Sequence, residues 1–419
     1  MPSVDTATPL PATERVPTLD ILRGFALMGI LIMNMPGFSS SFFAESDGSH
    51  LWTGQVDQIA EHVREALFSG KFNSMFSLLF GIGFTIQFAR MQERDPGHAT
   101  ALYLRRLSAL LVFGLIHAFV FWPGDVLHNY AILGFVLVLG LRRVSDRGIV
   151  ALIVACLLYP ALNGVLRLLV ITKEITAERV RVGLAFDASN QIAFGQGGFF
   201  DMVRENTRMM VHFYGDWLNL WGAFGWYVML GLTMLIGVLA GRRRWVQRAD
   251  ELMPLIRRLM WWALALGLSC GLAFTVIFEL NREPGPSPIK VVGSVCYSLS
   301  RLSMMIFYVL LIVRLAQSVR ARRWLAPWAA AGRMPLTNYL MQTAICITLF
   351  QQWGFGLWMK MGPALGLVLS LAIFFVVQVP LSLWWLKRHD RGPMEALWAR
   401  LTYGSSIRGV AGGQRLTAE

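Results

Sequence analysis

Residues 217–241 read WLNLWGAFGWYVMLGLTMLIGVLAG: twenty-five positions without a charge, closed at once by Arg242-Arg243-Arg244. At about 1.5 Å of rise per residue, a helix of this run crosses the roughly 30 Å hydrocarbon core of a bilayer, and the arginines mark its return to water. Nine further apolar runs lie near 19–35, 72–89, 107–122, 126–141, 149–172, 259–278, 291–313, 335–358 and 363–386. Lipid offers a peptide group no partner, so these runs read as helices, whose backbone bonds close within the segment. Composition agrees: of 419 residues, 55% are hydrophobic and 15% charged, and the mean hydropathy is +0.52. A water-facing surface needs about a quarter of its residues charged. The fold class expected is therefore all-α, a polytopic transmembrane bundle of about ten spans. A set of soluble domains, a disordered chain and a secreted disulfide scaffold are excluded.

The basic residues orient the bundle. They gather in alternate loops: Arg90, Arg94, Arg105 and Arg106 after the second span, Arg142, Arg143 and Arg147 after the fourth, the 242–258 segment after the sixth, and Arg314, Arg320, Arg322, Arg323 and Arg333 after the eighth. Cytoplasmic loops concentrate Lys and Arg, which puts these loops and both termini inside. The net charge of +13 is then a topology signal, and no nucleic-acid partner is expected. The organisation expected is a disordered cytoplasmic tail over 1–16, a transmembrane domain over 17–391 with outer loops 36–71 and 173–216, and a cytoplasmic interfacial helix and tail over 392–419. Within the outer loops, 57–69 is amphipathic and 199–213 reads as helix; 393–403 places Met394, Leu397, Trp398 and Leu401 on one face. Pro123-Gly124-Asp125 joins spans three and four as a tight hairpin. The four cysteines lie in apolar runs without metal-type spacing, so no metal is expected.

Ionisable groups inside spans are expensive and mark function by default. Asp20 and Arg23 share a helix face at the inner end of span one, as a boundary ion pair or an anion site. Arg301, near the middle of span eight, is too deep to reach water with ease and calls for a carboxylate, a cavity or an anionic ligand. His117 in span three and Asp125 at the hairpin are the acid–base pair of the outer half: imidazole titrates near neutrality and a carboxylate orients it. Their other reading is structural, Asp125 capping span four and His117 bonding across helices. Span nine opens Gly332-Arg333-Met334-Pro335, where free first-turn amides beside Arg333 suit an anion. Asn338 and Gln342 follow on one face, as ligand groups or as polar glue. Gly81 and Gly83 in span two read as helix-packing positions. No nucleotide loop, serine elbow or metalloprotease motif occurs.

Thr18-Leu-Asp-Ile-Leu-Arg-Gly24, Phe76-Ser-Leu-Leu-Phe-Gly81, His117 with Gly124-Asp-Val-Leu127, Gly332-Arg-Met-Pro-Leu-Thr-Asn-Tyr-Leu-Met-Gln342 and Gly392-Pro-Met-Glu-Ala-Leu-Trp398 together resemble the YeiB family of bacterial inner-membrane proteins. That resemblance implies a multi-pass protein of the inner membrane and a place among transmembrane acyltransferases, which pass an acyl group from cytoplasmic acyl-CoA to an acceptor across the membrane. It implies acetyl-CoA or another acyl-CoA as donor. The clustering of phosphate-type residues at the inner mouth assigns Asp20, Arg23, Arg105, Arg106, Arg333 and Asn338 to the phosphates, with Gln342 one turn on as a further cofactor-binding candidate and Arg301 deeper, near the pantetheine or the thioester. His117, oriented by Asp125, serves as base or acyl carrier. The partners expected are membrane lipids, acyl-CoA, an acceptor such as a surface sugar or other small molecule, and a second copy in a homodimer. Two other functions stay open: passage of a small anion with Arg301 as counter-ion, and a scaffold without catalysis.

Overall fold

Helix α1 (Pro17–Ser39) runs through the middle of the bundle, its Leu22, Leu27 and Leu31 wholly buried. In the computed structural model, which describes residues 16–404, all regular structure is helical. The short amphipathic α2 (Gln55–Leu67) leads into α3 (Lys71–Arg94) through Gly70 in the left-handed region. A hairpin follows, α4 (Ala99–Phe121) and α5 (Leu127–Leu141), and then α6 (Asp146–Val170), α7 (Lys173–Gly195) and α8 (Phe199–Gly215). The second half is α9 (Trp217–Arg242), α10 (Met253–Leu280), α11 (Pro288–Ala316), α12 (Val319–Gly332) and α13 (Pro335–Phe350). It ends with α14 (Pro363–Leu386) and α15 (Pro393–Tyr403). The tail over 1–15 and the residues beyond 404 lie outside the described residues.

Eight of these helices are long and apolar enough to cross a membrane: α1, α3, α4, α6, α9, α10, α11 and α14. The chain is a multi-pass helical bundle. Helices stand at all ten expected runs, but α5 and α13 are shorter than the rest. The ninth run was expected to stay helical to 358. It stops at Phe350, because Gln351-Gln352 and Gly354 break the apolar period and Gly356 takes φ +64°, folding the chain back so that Phe355 and Leu357 amides donate to Thr348 and Leu349 carbonyls. The basic loop over 319–333 also holds a helix, α12, capped by Ser318.

Small residues set the crossings. Gly81 on α3 lies against the Met234 carbonyl of α9, where a Cβ would come within 2.2 Å, whereas Gly83 has open space beside it. Gly81 thus serves packing and Gly83 does not. On α1, a Cβ at Gly24 would stand 1.8 Å from the Trp328 carbonyl of α12. Helices α6 and α10 lie at the periphery with exposed Leu158, Leu162, Trp261 and Leu272, surfaces that suit lipid and would be liabilities in water. The tip of the α4–α5 hairpin is not at the surface: α8 lies over it, with Asn206 Nδ2 donating to Val120 O at 3.4 Å.

Candidate functional site

Two local features aim the hairpin's polar groups. The last turn of α4, His117–Phe121, widens into a π-turn, an irregularity that often accompanies function. The Pro123-Gly124 turn then brings Asp125 back beside it. Asp125 Oδ1 meets His117 Nδ1 at 2.8 Å, and Oδ2 meets His128 Nδ1 at 2.7 Å and the His128 backbone amide at 2.9 Å. The carboxylate therefore supports the first turn of α5 and orients two imidazoles at once. An ionised carboxylate only accepts, so each histidine holds its proton on Nδ1 and turns a bare Nε2 outward. His117 Nε2 accepts from Thr343 Oγ1 at 2.8 Å, and His128 Nε2 from the Tyr214 hydroxyl at 3.0 Å. The result is one hydrogen-bonded line, Thr343–His117–Asp125–His128–Tyr214, drawn from α13, α4, the hairpin turn, α5 and α8. The Asp125 side chain has no exposed surface and that of His117 has 2%.

Below the line opens a cavity of about 410 Å³. Arg23, Arg90, Arg94, Arg106, Arg333 and Arg391 stand at its basic end, Leu79, Phe80 and Leu110 form apolar walls, and Val126, Tyr130 and Tyr339 line it farther in. Tyr339 connects cavity and site: its hydroxyl lies 3.4 Å from Asp125 Oδ1 and its ring centroid 5.1 Å from that of His117. A second cavity, about 520 Å³ and on the side of α2, is walled by Gly37, Phe42, Trp52, His50, His62 and Glu279 among others. Gly37 and Phe42 pack there on Trp122, whose Nε1 donates to Gly37 O at 3.0 Å.

The expected site residues divide. Asp20 and Arg23 form an ion pair at 2.8 Å and both line the basic cavity. Arg106 lines it too, its guanidinium 3.5 Å above the Trp398 ring, and so does Arg333. Arg105, one residue from Arg106, is exposed and absent from the cavity walls. Asn338 and Gln342 are buried in a ladder that joins α13 to α1 and α14: Asn338 donates to Ala331 O and Ser382 Oγ, and Gln342 to Leu27 O and Gln378 Oε1. They act there as glue, as polar pairs between membrane helices do. Arg301 is buried, its Nε donating to Ser74 Oγ and its guanidinium 5.1 Å from the Trp226 ring, while Nη2 has no partner. It is absent from the walls of the basic cavity.

The first-turn amides of α13 are not free for an anion. Glu395 of α15 takes them, Oε1 accepting from Leu336 N at 2.6 Å and Thr337 N at 3.1 Å, and Oε2 from Thr337 Oγ1 at 2.6 Å. Burial pushes this carboxyl above its ordinary range, outweighing the hydrogen bonds from Thr337 and Leu336. Sequence reasoning missed Glu395, Thr343 and Tyr214 as members of the site and gave His128 no role. One usable signal was present, since Tyr339 and Thr343 stand four apart and so share a face of α13.

Residues 240–405 match a family described as a protein of unknown function (DUF418). The chain is 30% identical over 406 residues to the uncharacterized protein YxaH of Bacillus subtilis, covering 94% of this chain and 96% of that protein. It is 30% identical over 397 residues to an uncharacterized 39.9 kDa protein in the amylase 3′ region of Bacillus acidopullulyticus, covering 94% and 96%. It is also 27% identical over 395 residues to the uncharacterized protein YeiB of Escherichia coli, covering 93% and 96%.

Proposed function

The chain belongs to the YeiB family, the DUF418 proteins, whose names carry no activity, and from its own residues we propose that it is an acyl-CoA-dependent membrane acyltransferase. The observation that carries this reading is the cavity that begins among arginines and reaches Tyr339, one side chain short of the His117–Asp125 pair. Arginine forks pair bidentately with phosphates, which suits Arg23, Arg106 and Arg333 to the phosphates of coenzyme A. The apolar walls suit the pantetheine arm and a short acyl group. His117 accepts the proton of the attacking group at Nε2, and Asp125 positions the ring and stabilises the imidazolium that forms. The acceptor, a hydroxyl or amine such as a surface sugar carries, comes from the opposite face. In the cell the arginine end faces the cytoplasm of the bacterial inner membrane, where acyl-CoA is made.

Titrating purified protein in detergent with coenzyme A tests the donor half. Arg23→Ala and Arg333→Ala are each expected to weaken binding about tenfold, about 1.4 kcal/mol. Absent binding, or unchanged affinity in both variants, overturns the reading. A second reading, passage of a small anion, draws on the unpartnered Nη2 of Arg301; it requires anion flux into proteoliposomes that Arg301→Ala abolishes. It stands behind the first because Arg301 does not reach the cavity.

A further inference from the structure

We propose that Thr343 is the nucleophile of this site and carries the acyl group as an ester between donor and acceptor, a step that rests on the acyl-transfer reading above. The hydroxyl of a helical threonine ordinarily bonds a carbonyl one turn back in its own helix. Thr85, Thr207, Thr275, Thr348 and Thr402 all do so here. Thr343 does not. It is 2% exposed, and its Oγ1 lies 2.8 Å from His117 Nε2, while His117 Nδ1 lies 2.8 Å from Asp125. Hydroxyl, imidazole and carboxylate thus stand in the order that activates a nucleophile: the base within hydrogen-bond reach of the hydroxyl and itself oriented by a third group. The cavity ends close by, at Tyr339, one helical turn before Thr343, so a thioester carried down it has the Tyr339 side chain between it and the hydroxyl and reaches Thr343 as that ring moves aside.

The chemistry closes on these residues. Thr343 Oγ attacks the thioester carbonyl carbon as His117 Nε2 takes the hydroxyl proton. The C–S bond breaks, and the imidazolium returns that proton to the departing sulfur, leaving a Thr343 ester and free coenzyme A thiol. The acceptor oxygen or nitrogen then attacks the ester carbon, His117 takes its proton, and the C–O bond breaks with the proton delivered to Thr343 Oγ. A covalent relay answers a problem of access: the phosphates enter from the arginine end, the acceptor from the other, and coenzyme A leaves before the acceptor arrives.

The first half-reaction needs no acceptor, so it can be tested alone. Full-length protein in nanodiscs is incubated with acetyl-CoA labelled in the acetyl group, and bound label, released thiol and bound coenzyme A are measured. Wild type is expected to take up label approaching one acetyl per chain, mapped by mass spectrometry to Thr343, with matching thiol release. Thr343→Val and His117→Gln should each lose at least 100-fold of the label; Thr343→Ser should keep it, and coenzyme A binding by Thr343→Val shows that its fold is intact. Label on His117, or acetyl-CoA bound without any label on the protein, overturns the Thr343 ester and leaves acyl transfer standing. Failure of the wild type to bind acetyl-CoA overturns both.

Discussion

At the scale of single residues the site turns on Asp125, which accepts from two imidazoles, one backbone amide and, at longer range, the Tyr339 hydroxyl. An amide cannot replace it. Asn offers one accepting and one donating atom, so in Asp125→Asn one histidine must surrender its Nδ1 proton and present the wrong tautomer. Transfer of label in that variant should fall by about 10³-fold or more, and the strained network should cost about 1–3 kcal/mol of stability, read as a lower unfolding temperature in detergent. The pairing of His117 with Asp125 was legible in the sequence because they are eight residues apart across a Pro-Gly turn, which forces the arms of a hairpin together. The pairing of His117 with Thr343 was not. The two are 226 residues apart, and nothing within Thr337-Asn338-Tyr339-Leu340-Met341-Gln342-Thr343 says which polar side meets which neighbour.

At the scale of elements, α15 is a clamp on the mouth of the cavity. Glu395 holds the start of α13, and Trp398 lies under Arg106 and donates to its carbonyl at 2.9 Å. Glu395→Ala leaves buried first-turn donors of α13 without an acceptor and is expected to cost about 1–3 kcal/mol; Glu395→Gln keeps an accepting oxygen and should cost less. The sign with pH follows from burial. The folded protein holds the Glu395 proton more tightly than the unfolded chain, whose carboxyl titrates near 4.5, so this group favours the fold most at low pH. Its contribution is lost as pH rises from there through the raised folded value. Unfolding temperatures measured across that interval should therefore show a weaker decline in Glu395→Gln. The crossing of α1 and α12 makes a second expectation: with backbone in the way, Gly24→Ala should lose more than about 2 kcal/mol, seen as reduced folded yield. The helix over 393–403 was legible from its one-sided apolar face. Helix α12 was masked by its arginines, which read as loop charge although the Ala-rich half packs on α1.

At the scale of the whole molecule, the alternation of arginine-rich loops is the most readable feature, and it carries a prediction of orientation. A cysteine introduced by Gly97→Cys, between α3 and α4, should react with a membrane-impermeant maleimide only after the membrane is opened. One introduced by Gln196→Cys, between α7 and α8, should react in intact cells. Equal labelling of both in intact cells would contradict the topology. The interior is another matter, because long apolar helices look alike in sequence and only packing decides their neighbours. The buried hairpin tip has, finally, a consequence for biogenesis. During synthesis the two histidines are made long before their outer partners, His128 86 residues ahead of Tyr214 and His117 226 ahead of Thr343. Until α8 and α13 emerge, the side chains of the hairpin that meet the Asp125 carboxylate, among the described residues, are the two histidines. The pair thus escorts a charge through membrane insertion, and the docking of α13, late in the chain, is the event that completes the line.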